Sequence, residues 1–211
     1  MVDLYTRPNT AGTIVRCLLE EVGEPYRVIA VERGADGSVS PPEYAGLNPN
    51  GTVPTLVDGD LVLYETAAIL QHVADTHPAS GLAPVPGSPG RPVLYRWMLY
   101  VTNNVMAAFY RWFKAEEMVA DPATVESLQR GAIRDLERFG RFLEAELADR
   151  YYLLGDECTI ADVFLGGLYA WADEIPGLAF GGDNVAAHRA RVEARPAFRR
   201  VYADEGMPSV A

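Results

Sequence analysis

The feature that most limits how this chain can fold is a break near its middle. Residues 78 to 92 hold five prolines (Pro78, Pro84, Pro86, Pro89, Pro92) and three glycines. Proline fixes φ and lacks an N–H, so neither a long helix nor a central strand runs through such a stretch. The patterns on its two sides differ. Before it, short β-prone runs alternate with helical spacings; after it, only helical spacings occur. It reads as a linker over 79–92, joining a domain at 1–78 to one at 93–211.

Val2 to Thr6 is a short β-prone run and ends before Pro8. Asn9 and Thr10 can cap a helix whose apolar positions are Ile14, Val15, Leu18, Leu19 and Val22. Gly23 supplies a left-handed stop and Pro25 forbids continuation. Tyr26 to Val31 is a second strand, Gly34 to Ser38 a loop, and Ser40-Pro41-Pro42-Glu43 the opening of a short helix. Leu56-Val57 and Leu61-Val62-Leu63 flank Asp58-Gly59, a hairpin signal. Glu65 to His77 is helical, with Ile69, Leu70 and Val73 on one side. The order is βαβ, helix, ββ, helix.

After the linker, Leu94, Trp97, Val101, Val105, Ala108 and Trp112 mark a long amphipathic helix. Val125, Leu128, Ala132, Leu136, Phe139, Leu143 and Leu147 mark another. Such stripes are packing seams far more often than cofactor sites. A third helix starts at Thr159-Ile160-Ala161-Asp162, where Asp162 can reach back to the cap's own N–H. That capping box is a folding device worth about 1 kcal/mol.

Composition removes several function classes. The net charge of −11 repels phosphate backbones, so nucleic acid is an improbable partner. The densest basic group, Arg189, Arg191, Arg195, Arg199 and Arg200, is diluted by Glu193, Asp204 and Glu205. Cys17 and Cys158 form no CxxC pair and no metal-ligand spacing, so no metal is expected and a reducing cytoplasm is the simplest compartment. The first residues lack the basic and apolar regions of a signal peptide, and no apolar run approaches a membrane span. His72, His77 and His188 read as solvated or packed, and Cys17 as a small core residue.

Three short segments carry chemistry. A cis bond at Val53-Pro54 would turn the N–H and C=O of Val53 toward an extended peptide ligand; a proline that merely starts an edge strand is an equal reading. Glu65 and Thr66 stand at a helix start, where an acid can pair an ammonium while the hydroxyl and free backbone N–H groups hold a carboxylate. Together these recognise the α-amino acid end of a ligand, although an ordinary cap is commoner. Asn9 and Thr10, also at a helix start, can stabilise a thiolate, again against the plainer reading of an N-cap.

Taken in order, Leu18-Leu19-Glu20-Glu21-Val22-Gly23, Asn48-Pro49-Asn50-Gly51-Thr52-Val53-Pro54-Thr55-Leu56, Tyr64-Glu65-Thr66-Ala67-Ala68-Ile69-Leu70, Thr159-Ile160-Ala161-Asp162 and Arg195-Pro196-Ala197 resemble the soluble glutathione transferases, in particular bacterial theta-, beta- and nu-like members. The resemblance covers residues 2 to 203. It implies an α/β thioredoxin-like N-terminal domain that binds glutathione and an all-α C-terminal helical domain. It also implies a homodimeric cytoplasmic detoxification enzyme, with glutathione as co-substrate and a small electrophile as its second substrate. The glutathione-binding set is then Thr52, Val53, Pro54, Glu65 and Thr66. Val53 pairs with the cysteinyl part, Pro54 is the cis-proline, and Glu65 with Thr66 holds the γ-glutamyl end.

Members place the activating hydroxyl or thiol just after the first strand, at Asn9 or Thr10, or use a tyrosine in that strand, here Tyr5. Ala11 falls near the cysteine of one bacterial class. The lysine many members carry at Thr52 is missing, as are the basic residues expected near Ser38, Val39, Ser40 and Pro41. Tyr110, Arg111 and Phe113 are second-substrate candidates, with a dimer face as an equal reading. A glutathione-dependent disulfide reductase and a non-enzymatic binding module of the same fold are the alternatives.

Overall fold

The computed structural model describes residues 1–34 and 38–208. Positions 35–37, inside the loop expected at Gly34 to Ser38, and 209–211 lie outside the described residues. The chain divides into two compact units: Met1–Ala83 together with the chain from Glu193 on, and Pro84–Val192.

The first unit is built on a four-stranded sheet. Its strands are β1 (Val2–Thr6), β2 (Tyr26–Ala30), β5 (Thr55–Asp58) and β6 (Leu61–Tyr64), in the order β2-β1-β5-β6. β1 runs parallel to β2 and antiparallel to β5, and β5 antiparallel to β6. β1 lies inside the sheet and is buried along most of its length, with Asp3 the one residue less than fully covered. One face carries α1 (Ala11–Val22) and α3 (Thr66–Thr76), which pack on each other. Leu4, Leu56, Ile14, Leu18, Leu19, Ile69 and Leu70 are sealed from solvent. The other face holds Tyr5, Val31 and Tyr44, the last from α2 (Tyr44–Leu47).

α1 begins and ends where local chemistry dictates. The Thr10 hydroxyl accepts the Gly12 N–H at 3.2 Å, and the Thr10 N–H donates to the Thr13 hydroxyl at 3.3 Å. A Cβ at Gly12 would fall 1.6 Å from the Thr6 hydroxyl oxygen, so only glycine lets the first helical turn close on the strand end. Gly23 stops the helix with φ 71°.

Two features were not expected from sequence. Glu32–Arg33 (β3) and Val39–Ser40 (β4) pair antiparallel as a separate ribbon. That ribbon takes Ser40 into a strand, so the helix read from Ser40 onward starts at Tyr44, after a turn closed by Tyr44 N–H on Pro41 C=O at 3.0 Å.

The first unit is completed by α10 (Pro196–Glu205), which packs along α1. Arg195 grips Glu21 with two bonds of 2.9 and 2.7 Å, and Arg200 meets Glu20 at 2.9 Å. Arg16 on α1 meets Glu205 at 2.8 Å and also pairs with Asp204.

The second unit is helical: α4 (Gly90–Tyr100), α5 (Ala107–Phe113), α6 (Ala115–Met118), α7 (Val125–Glu146), α8 (Ile160–Asp173) and α9 (Asp183–Glu193). The helix expected through Val101 is not uniform, because Val101–Met106 is a π-helical stretch between α4 and α5. There Thr102 and Asn104 donate side-chain bonds to the carbonyls of Met98 and Tyr100 at 2.7 and 3.2 Å. Side chains that bond backbone carbonyls one turn back compete with the regular ladder. The apolar stripes are packing seams: Leu94, Trp97, Val101, Val105, Ala108, Leu136, Phe139 and Leu143 are buried.

The capping box at Thr159 forms, with its N–H on Asp162 Oδ2 at 2.8 Å. Asp162 does more than cap: Oδ1 accepts the Leu153 N–H at 2.7 Å and lies 2.9 Å from His188 Nε2, whose Nδ1 is 2.8 Å from the Tyr169 hydroxyl. His188 is thus a fully buried member of a polar network. Among the described residues, no helix is long and apolar enough to cross a membrane, and no group of three or more His, Cys, Asp or Glu side chains is arranged to hold a metal.

Candidate functional site

Strand register gathers the sequence-derived site residues of the first unit. Tyr5 near the end of β1 lies opposite Thr55 at the start of β5, and Thr55 lies opposite Tyr64 at the end of β6. Three chain segments therefore leave the sheet at one end. One is the turn from β1 into α1, carrying Asn9 and Thr10; another is Val53-Pro54 entering β5; the third is Glu65-Thr66 leaving β6 for α3.

The Val53-Pro54 peptide is cis. Among the described residues neither the N–H nor the C=O of Val53 makes a hydrogen bond. Its neighbours are firmly held. Buried Asn48 donates to Thr52 C=O at 2.8 Å and to the Thr55 hydroxyl at 3.2 Å, and Tyr44 bonds both the Thr52 C=O and, at 2.9 Å, the Thr55 hydroxyl. Burial pushes the Tyr44 phenol above its ordinary pKa, against the opposing bonds from Thr55 and Asn48. The phenol stays a donor and the knot persists. A main-chain donor–acceptor pair held rigid and unpartnered is suited to meeting an extended peptide ligand.

Glu65 is exposed and has φ 76°, a left-handed conformation costly for a residue with a long side chain. Its C=O accepts the Ile69 N–H at 3.0 Å, so the residue starts α3 while its carboxylate faces solvent. Thr66 is buried next to it, with no hydrogen bond from its hydroxyl among the described residues. The pair offers one carboxylate, one hydroxyl and the free N–H groups of a helix start, enough to hold both charges of an α-amino acid.

The turn before α1 separates its two candidates. The Thr10 hydroxyl donates to Arg7 C=O at 2.8 Å besides accepting from Gly12, so its one proton serves the cap. Asn9 is exposed at φ 53°, and its N–H donates to Glu205 Oε2 at 3.0 Å. Tyr5 points into the core: it is 8% exposed and stacks on Tyr44 with ring centroids 5.4 Å apart.

Sequence reading missed Arg33. Its guanidinium lies 3.3 Å from where a Gly51 Cβ would sit, beside the Gly51-Thr52-Val53 segment, and it makes no ion pair among the described residues. The signal needed was pairing, not position. β3 sets Arg33 opposite Val39, one of the positions where a basic residue was sought and none found.

In the second unit Tyr110, Arg111 and Phe113 do not converge. Tyr110 and Phe113 pack edge-on to Trp171 at 5.8 and 6.1 Å, whereas Arg111 pairs with Asp135 on α7 at 2.7 Å. Residues one and two apart on a helix cannot all share a face. Cys17 and Cys158 are buried, and burial raises the Cys17 thiol well above its ordinary pKa, so it stays protonated.

Comparison with known proteins matches this architecture. Residues 12–76 fit the family model described as glutathione S-transferase, N-terminal domain, and residues 122–204 the corresponding C-terminal domain. Glutathione S-transferase GST-4.5 of Xanthomonas campestris pv. campestris is 29% identical over 171 residues, 81% of this chain and 82% of that protein. The disulfide-bond oxidoreductase YfcG of Escherichia coli K12 is 27% identical over 77% of this chain and 76% of its own. A theta class glutathione S-transferase from the citrus canker pathogen Xanthomonas axonopodis pv. citri, solved with glutathione bound, is 31% identical, with a TM-score of 0.77 over 94% of this chain and 95% of that one. The thioredoxin-like sheet with its helical partner unit, and matches that run nearly end to end, make this chain a member of the glutathione S-transferase superfamily.

Proposed function

We propose that this glutathione transferase binds glutathione across Val53, Glu65 and Thr66 and transfers its sulfur to a small electrophile, working as a homodimer in the cytoplasm. The observation that carries this reading is the pair of unpartnered Val53 main-chain groups at the sheet end that also presents Glu65-Thr66 and the start of α1. Val53 pairs with the cysteinyl segment. Glu65 takes the γ-glutamyl ammonium, and Thr66 with the α3 N–H groups takes its carboxylate. Arg33 supplies the cation for the glycyl carboxylate that Thr52 cannot.

The bound thiol gives its proton to solvent, the thiolate sulfur attacks the electrophilic carbon to form the C–S bond, and the leaving group departs with the electron pair of the bond that breaks. Asn9 is the better candidate to stabilise the thiolate, because its exposed amide carries two N–H donors, whereas the single Thr10 proton is engaged by Arg7 C=O. Tyr110 and Phe113 are the second-substrate candidates; Arg111 is held by Asp135.

A disulfide reductase is the second reading, favoured by the likeness to an oxidoreductase. With both cysteines buried, glutathione would have to supply the attacking sulfurs.

Calorimetry with Glu65→Ala tests the site. Removing one partner of a close charge pair costs about 2–5 kcal/mol, so glutathione affinity should fall at least thirtyfold with the melting temperature unchanged. Wild-type affinity in that variant would sink the assignment. For the variants that follow, turnover of a chromogenic electrophile against that of a disulfide separates the two reactions.

A further inference from the structure

The carboxylate of Glu205, on the last helix of the chain, lies beneath the turn that leads into α1. Its side chain is 2% exposed, and both carboxylate oxygens are engaged. Oε2 accepts the Asn9 N–H at 3.0 Å and the Thr13 hydroxyl at 2.7 Å, and Oε1 accepts from Arg16 Nη1 at 2.8 Å. Burial lowers the affinity of Arg16 for its proton, but its bonds to Asp204, Tyr26 and Glu205 outweigh that and raise its pKa. The guanidinium therefore stays charged and neutralises the carboxylate.

Asn9 in the turn, Thr13 in the first turn of α1 and Arg16 one turn further on are thus tied to a single buried anion 189 to 196 positions away. The tie matters because Asn9 is left-handed, φ 53°. Asparagine visits this region but does not prefer it, so the bond to its N–H selects that conformation and with it the direction of the side chain.

We propose that Glu205 is a positioning residue for thiolate stabilisation. It fixes the backbone of Asn9, and so aims the group that meets the glutathione sulfur. Arg16 is its counter-ion, keeping an anion close to that turn from opposing the thiolate. Resting on the reading above that Asn9 serves the thiol, the inference assigns the last helix a part in setting the reactivity of a group near the chain's start. Glu205 touches neither substrate, so its effect belongs in the thiol's acidity and in turnover, not in the affinity contacts at Val53, Glu65 and Thr66.

The test compares wild type, Glu205→Gln and Glu205→Ala by three measurements: amide hydrogen exchange over residues 7–13, calorimetric glutathione affinity, and the pH dependence of kcat/KM with a chromogenic electrophile. Glutamine keeps an acceptor oxygen but loses the charge; alanine loses both. Exchange should rise from wild type through Gln to Ala, and the acid limb of the pH profile should move upward in that order. In Glu205→Ala kcat/KM should fall roughly tenfold to a hundredfold, the scale on which a misplaced catalytic group is felt, with glutathione affinity within about twofold because its contacts are untouched. Unchanged exchange and an unmoved pH profile in Glu205→Ala would overturn the proposal; if that variant fails to fold, the same result in Glu205→Gln does so. A fall in kcat/KM with no pH shift would also overturn it, leaving Glu205 a structural tie. Failure of the glutathione reading itself would show differently, as wild type that takes up no glutathione whether or not exchange responds to Glu205.

Discussion

Thr10 and Tyr5 show how a residue's second duty decides its first. Both stand where an activating group could act, but the Thr10 hydroxyl closes a helix end and Tyr5 fills the layer above Tyr44. Thr10→Ala should cost about 1 kcal/mol as a lost cap, measured by denaturant unfolding. Asn9→Ala should cost on the order of 10²-fold in turnover, the usual penalty for removing a donor from a developing anion, and should raise the thiol's apparent pKa. Tyr5→Phe should leave the pH–rate profile where it was. A profile moved by Tyr5→Phe alone would reverse the order. Alternation alone did not decide the direction of Tyr5, because β1 is covered on both faces and Leu4 and Tyr5 are both buried. The commitment of the Thr10 proton was not legible in sequence either, because it depends on where Arg7 C=O comes to rest. Arg33 was hidden for a related reason: its neighbour Val39 is fixed by a two-residue ribbon too short to leave a pattern.

Helix ends carry the same lesson one level up. The box at the start of α8 is contiguous, Thr159 to Asp162, and could be read directly. The start of α9 is capped from another helix altogether. Glu144 on α7 accepts the N–H groups of Gly182, Asn184 and Val185 at 2.8, 2.9 and 3.0 Å. Burial acts to raise its pKa, but the bonds from Asn184, Val185 and Gly182 outweigh that and hold it below the ordinary carboxylate range. A lowered folded-state pKa means the stabilisation is present above the unfolded-state pKa and disappears as pH falls through the lowered one. Glu144→Gln should therefore be less stable than wild type by about 1 kcal/mol at pH 7, and the gap should close on acidification. Denaturant titrations at pH 7 and at an acid pH below the lowered Glu144 pKa check this; a gap that stays constant would contradict it. The π-helical stretch in the middle of the α4–α5 rod was equally hidden, since Val101 and Val105 keep a spacing any helix allows.

At the scale of the molecule, apolar side chains remain on the surface of the first unit: Leu61, Val62 and Tyr64, all on the edge strand β6. A contiguous exposed apolar run marks an association surface, and we expect a second copy of the chain to cover this one. Light scattering at micromolar concentration should give twice the 23.0 kDa of one chain; a monomer throughout would refute it. The proline-rich break was the plainest feature of the sequence. What it could not convey is that the first unit is discontinuous, with α10 lying along α1. No periodicity relates Glu205 to Asn9, so nothing local announced the tie. Proteins are made from the N-terminus and domains generally fold as units. Here the unit whose sheet emerges first from the ribosome lacks α10 until residue 205 has been translated. The turn proposed to govern glutathione reactivity thus waits on α10, and a nascent chain that stops short of Glu205 cannot have its Asn9 clamped.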